Sequence, residues 1–236
     1  MTATARAEPP VPSFLGAMIA VIRKDLRLEW RTREVFTATL VFAALVLLTM
    51  NFSFEPGQHA VEDMAAGLLW VAFVFAGMLG FSRSLLAEKE GGCLDALYLS
   101  PADPGAIFLG KVASNVIFLA VTEAAVLPLF AVLFNYPLGR AFPGVIVAIG
   151  LGSVGFVAAG TLFAAISTQM RVREVMLPLL LLPVSVPVLI ASVRVTQTAL
   201  AGHALSGALA WIGLLVLCDA LFLVAGMLLF GYVLED

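Results

Sequence analysis

The stretch VASNVIFLAVTEAAVLPLFAVLFNYPL, from Val112 to Leu138, holds one charged residue, Glu123, over a length sufficient to cross a bilayer. A helix rises about 1.5 Å per residue, so about 20 apolar residues span roughly 30 Å of hydrocarbon. Outward toward the N-terminus, Met64 to Ser82 and Val35 to Phe54 carry no charge at all. In the other direction Ala141 to Met170 and Val175 to Val193 are uncharged, and Ala210 to Leu234 holds a single acid, Asp219. With 61% apolar and 12% charged residues and a mean hydropathy of +1.05, the chain lies outside soluble usage. The expectation is an all-α integral membrane protein with six transmembrane helices and both termini on one side.

The basic residues indicate which side. With the termini in the cytoplasm, Arg6, Arg23, Lys24, Arg27, Arg31, Arg33, Arg83, Lys89, Lys111, Arg171 and Arg173 lie inside, and only Arg140 and Arg194 outside. That split follows the positive-inside rule. The opening MTATARAEPPVP lacks a basic region leading into a short apolar core, so no cleaved signal is expected. Residues 1–13 are read as a flexible tail, 14–34 as an interfacial helix and 35–236 as the six-span domain with a cytoplasmic loop over 83–111.

In Phe14 to Glu34, the residues Leu15, Met18, Ile19, Ile22, Leu26 and Trp30 recur at three- and four-residue spacing, with Arg23, Lys24, Arg27, Arg31 and Glu34 around the rest of the circumference. This is the pattern of an amphipathic helix lying along the inner interface, where basic side chains favour anionic headgroups. Whether it only anchors the first span or also touches a partner is left open by the pattern.

The long polar island is RSLLAEKEGGCLDALYLSPADPGAIFLGK, from Arg83 to Lys111. Gly91 and Gly92 permit a sharp change of backbone direction, and Leu94, Leu97 and Tyr98 then recur at helical spacing behind Asp95. Pro101, Pro104 and Gly105 end that segment. The reading is a short cytoplasmic helix with an apolar side and the acids Glu88, Glu90 and Asp95 beside it.

Other residues carry narrower expectations. A carboxylate at membrane depth is expensive, on the order of 2.5 to 3.5 kcal/mol on insertion scales, so Glu123 and Asp219 should face protein or water. They read either as a pair lining a pathway or as hydrogen-bonded packing residues. Pro178, Pro183 and Pro187 each remove a backbone donor from the fifth span and promote kinks. Gly150, Gly152, Gly155 and Gly160 suit close helix contact in the fourth. Cys93 and Cys218 are expected as free thiols, and His59 and His203 as solvated residues of outer loops. Neither a metal constellation nor a catalytic nucleophile and base is evident, and a net charge of −3 gives no indication of a nucleic-acid partner. Without a GxxxxGK[ST] loop, the chain is expected to be a membrane subunit and not an enzyme.

The order basic amphipathic helix, two spans and an E-x-E-G-x-x-L-[DE]-x-L-x-x-S-P loop resembles the membrane subunits of ABC-2 (type V) exporters. Glu88, Glu90, Gly91, Leu94, Asp95, Leu97, Ser100 and Pro101 carry the likeness. Leu69-Trp70-Val71-Ala72, Lys111-Val112 and PLLLLPVSVPVLI (Pro178 to Ile190) narrow it to the CcmB heme exporter permeases of cytochrome c maturation. The resemblance implies a bacterial inner-membrane permease subunit driven by a separate ATPase (CcmA-like). It further implies a heme-handling membrane protein (CcmC-like), a small membrane subunit (CcmD-like), a heme chaperone (CcmE-like) and two permease copies. Heme would be a pathway substrate and ATP would bind the partner. Glu88, Glu90, Gly91, Gly92, Leu94, Asp95, Leu97 and Tyr98 would form the coupling helix that contacts the ATPase. Two other readings stay open: an ABC-2 permease for a drug, lipid or polysaccharide, and a scaffold that releases a heme chaperone without moving cargo.

Overall fold

The computed structural model describes residues 13–53, 59–90, 102–135, 138–168 and 173–235. The described helices are α1 (Phe14–Thr32), α2 (Glu34–Ser53), α3 (His59–Glu90), α4 (Pro104–Leu133), α5 (Leu138–Thr168), α6 (Arg173–Leu200) and α7 (Leu209–Glu235). A 3-10 turn, Leu205–Ala208, precedes α7, and no strand occurs among the described residues. Six helices, α2 to α7, are long and apolar enough to cross a membrane. The expected all-α, six-span architecture is therefore present.

Helix α1 starts where Ser13 Oγ accepts from the Gly16 N–H at 3.2 Å, and ends at Arg33, whose left-handed φ of 53° turns the chain. The next helix begins immediately at Glu34, so the elbow is a single residue. Glu29 Oε1 accepts from the Phe36 N–H at 3.0 Å, satisfying one of the four N–H groups that a helix start leaves open. Around α1, Ala17 and Val21 are buried against the bundle while Leu15, Ile19 and Trp30 are exposed, as are Arg23, Arg27 and Arg31. One face is therefore bound to protein, one apolar face is left for lipid and one basic face for water.

The polar island is shorter than its sequence suggests, because helix encroaches from both ends. Helix α3 continues past Ser82 to Glu90, and α4 begins at Pro104 instead of near Val112. The reason for the second shift is local. Asp103 Oδ1 accepts from the N–H groups of Gly105 at 2.7 Å and Ala106 at 3.3 Å, and Pro104 sits in the first turn, where its missing N–H has no partner to lose. Pro104 and Gly105 thus open a helix. The fifth span also runs longer than Val175 to Val193, since Ala191, Val195 and Ala199 continue its buried face past the exposed Arg194.

Helix α5 lies at the centre, packed against α3, α4, α6 and α7. Its small residues make room for larger neighbours. A Cβ on Gly152 would collide with Ser192 and Trp70, on Gly155 with Asp219, and on Gly160 with the Phe81 ring. Gly150 differs from these three: it faces open space, so the close contacts of this span are internal to the bundle. Helices α2 and α7 lie outside, exposing Val41, Leu45 and Phe52 on one and Leu217, Leu221 and Leu228 on the other. Such surfaces suit hydrocarbon and would be a liability in water.

Candidate functional site

The proposed ATPase-contact segment is only partly described. Glu88 and Glu90 belong to the last turn of α3, not to a separate loop helix. Gly91, Gly92, Leu94, Asp95, Leu97 and Tyr98 lie outside the described residues, as does Cys93. From Pro104 to Lys111, the start of α4 is a wedge held on two sides, with Gly105, Ala106, Ile107, Phe108, Gly110 and Lys111 all buried.

On one side of this wedge is α1. A Cβ on Gly110 would come within 2.8 Å of Val21 Cβ and 3.0 Å of the Met18 carbonyl, so the two backbones touch. Beside this contact Lys111 Nζ stands 3.7 Å from Asp25 Oδ2, and Ser114 Oγ donates to the same oxygen at 3.1 Å. Lys24 approaches the other carboxylate oxygen at 3.2 Å. Lys111 is 2% exposed, which is rare for lysine and is tolerable here because a carboxylate lies alongside. On the other side is α7, where the Phe108 ring occupies the space a Cβ on Gly226 would need and lies 5.4 Å from the Phe230 ring. Pro104 approaches Gly231.

Asp25 was not singled out by the sequence. The signal available was an acid next to Lys24 in a helix rich in arginine, but nothing in the sequence reports a contact with a lysine that opens a distant apolar span. Lys111 was read as the end of a loop and is instead buried in helix.

At membrane depth the acids occupy separate sites. Glu123, 2% exposed, accepts from Ser153 Oγ at 2.5 Å, joining α4 to α5. Asp219, 7% exposed, packs against Gly155. Positions 153 and 155 stand about 200° apart on a helix of 3.6 residues per turn, so the two carboxyls approach α5 from opposite sides at similar depth. Other polar links cross the bundle: Trp70 Nε1 donates to Thr196 Oγ1 at 2.9 Å, and Asn115 Nδ2 donates to Thr161 Oγ1 at 3.1 Å. Glu123 Oε2, Asp219 Oδ1, Ser185 Oγ and Ser192 Oγ are buried without a hydrogen-bond partner among the described residues.

Pro178, Pro183 and Pro187 all lie inside α6, with Pro183 and Pro187 exposed on its outer face. Their rings remove the donors that the carbonyls of Glu174, Leu179 and Pro183 would use, so the lipid-side ladder of this helix is thinned. His59 is the first residue of α3 instead of a loop residue, while His203 is exposed in the turn after α6. Cys218 is buried and free. Among the described residues, no three His, Cys, Asp or Glu side chains cluster as metal ligands would.

With this arrangement in view, comparison with known proteins decides the family, because the CcmB protein family matches residues 16–227. The chain belongs to the CcmB family. Heme exporter protein B of Pseudomonas aeruginosa is 28% identical over 81% of this chain and 86% of that relative. Heme exporter protein B of Rhodobacter capsulatus is 30% identical over 82% and 88%, and that of Paracoccus denitrificans 29% over 78% and 84%. The CcmB match begins within α1 and ends within α7, so it takes in the elbow, the wedge and both intramembrane acids.

Proposed function

We propose that this chain is the membrane-spanning permease subunit of an ABC exporter that serves c-type cytochrome biogenesis. The match to the CcmB family across the whole bundle carries the reading. A separate ATPase chain drives it, since the sequence has no phosphate-cradling loop of its own. The loop centred on Gly91 to Tyr98 is the proposed docking element, with Leu94 and Leu97 as packing contacts and Glu88, Glu90 and Asp95 as polar ones. Both termini are assigned to the cytoplasm of a bacterial inner membrane on the basic-residue split.

The geometry supports a route for the energy. A displacement of the loop enters α4 at Asp103, and the wedge delivers it to α1 through Gly110 and Asp25–Lys111 and to α7 through Phe108. The output is heme movement or release of the heme chaperone from a complex that also holds a heme-handling membrane protein and a small membrane subunit. Single cysteines at positions 88 to 98, in a chain lacking Cys93 and Cys218, should crosslink to the copurified ATPase. Absence of crosslinks along the whole segment in an intact complex would overturn the docking assignment. ATP-dependent chaperone release without heme flux would select release over transport.

A further inference from the structure

Where the elbow meets the bundle, α1, α2 and α4 enclose an open cleft of about 300 Å³. Its wall is apolar, built from Leu26, Trp30, Phe36, Ile117 and Val121. Three of these are strongly exposed: Trp30 at 70%, Val121 at 46% and Ile117 at 41%. The volume is at the small end of ligand pockets, enough for part of an acyl chain and not for a whole lipid. Two charges of opposite sign share the lining, Glu29 and Arg33, and among the described residues neither forms an ion pair. Glu29 Oε1 is engaged by the Phe36 N–H, which leaves the second oxygen for another donor. Trp30 is the kind of residue that marks a membrane interface.

We propose that this cleft binds a zwitterionic phospholipid with a primary ammonium headgroup, its phosphate on Arg33, its ammonium on Glu29 and part of one acyl chain against Ile117 and Val121. An apolar wall with an unneutralised acid and base is complementary to a molecule that is itself an acyl chain with a cation and an anion. A purely anionic headgroup would satisfy Arg33 but meet Glu29 unfavourably. A quaternary ammonium would bring charge to Glu29 but no N–H to donate, whereas a primary ammonium offers three. Burial pushes the Glu29 carboxyl above its ordinary range, offset in part by the Phe36 N–H, and an ammonium on its second oxygen would oppose that shift.

The test uses the full chain purified with whatever subunits accompany it, stripped of lipid, then offered phosphatidylethanolamine, phosphatidylcholine and phosphatidylglycerol of identical acyl composition. Native mass spectrometry should show the ethanolamine lipid retained about tenfold over the other two, which corresponds to about 1.4 kcal/mol. Ile117→Trp, which fills the cleft, should abolish retention, and Glu29→Gln should remove the headgroup preference while keeping binding. Should Ile117→Trp not fold, an ethanolamine lipid with a photoactivatable acyl chain decides the matter in the wild type by labelling the peptide around Ile117 to Val121. Equal retention of all three lipids overturns the proposal. So does labelling elsewhere, or a crosslink from position 121 to a transmembrane helix of a partner subunit.

Discussion

The contact between Asp25 and Lys111 predicts a measurable coupling between the elbow helix and the start of α4. At 3.7 Å the pair attracts by about 4.5 kcal/mol at an effective dielectric of about 20. Desolvation opposes this strongly, because Lys111 is 3% and Asp25 12% exposed at the side chain. The net coupling in a double-mutant cycle of Asp25→Asn and Lys111→Met should therefore be about 1 to 3 kcal/mol. The two single changes are not equivalent. Lys111→Met removes a buried charge and leaves Asp25 with Lys24 and the Ser114 hydroxyl, so about 1 kcal/mol is expected. Asp25→Asn leaves a buried ammonium beside a neutral amide in place of a carboxylate, and about 2 to 3 kcal/mol is expected. Equilibrium unfolding of the purified chain in mixed micelles measures all four corners. Additivity within about 0.5 kcal/mol, or a Lys111→Met loss larger than that of Asp25→Asn, would refute the assignment of this pair as a buried bond between the two helices.

Further outcomes follow from single contacts. Gly226→Val should lower stability by about 1 to 3 kcal/mol, because its side chain enters space held by Phe108, and Phe108→Leu in the same chain should recover part of the loss on thermal unfolding. Ser153→Ala should destabilise by about 1 to 3 kcal/mol by leaving both Glu123 oxygens unpartnered, while Glu123→Gln should be milder; full cytochrome maturation by Glu123→Gln cells would remove charge from its role. The Glu29 carboxyl titrates above its ordinary range, so its contribution to stability is complete at low pH and is lost as pH rises through the folded-state value. Glu29→Gln should accordingly flatten the stability profile on the alkaline side of the ordinary carboxylate range, read from unfolding midpoints across pH. Wild-type and variant profiles of equal slope would contradict this.

The spans were legible because their signal is one of composition over length, which no tertiary contact is needed to express. Val35 to Phe54 became Glu34–Ser53, and the apolar core of every other span fell inside its helix. What composition could not show was where helix continues beyond the hydrocarbon. The end of α3 past Ser82 is polar, and the start of α4 contains Pro104 and Gly105, residues that read as breakers until Asp103 is seen to cap them. The site residues divide similarly. Glu123 and Asp219 announced themselves by charge in an apolar run, but that they flank α5 from opposite sides depends on which face of that helix each neighbour meets. Asp25 was hidden because its partner is distant in sequence, and an acid set among Arg23, Lys24 and Arg27 looks like part of a solvated face.

The positions of the polar groups constrain how a push on the cytoplasmic side reaches the middle of the membrane. Lys111 and Glu123 lie on the same helix, about 18 Å apart along its axis at 1.5 Å per residue. Between them Ser114 faces Asp25 and Asn115 faces Thr161, so α4 is tied to α1 at its start and to α5 at two levels beyond. A helix held this way transmits a shift at its N-terminus as rotation or translation of the whole rod, because close-packed interiors do not absorb it by compression. The first polar contact such a movement would disturb at mid-membrane is Glu123 with Ser153, and its neighbour across α5 is Asp219 on Gly155. A displacement of α4 would therefore be felt at mid-membrane first in the hydrogen bond that ties it to α5, and Ser153→Ala, which removes that tie while leaving the wedge intact, separates movement of α4 as a rod from its hold on α5.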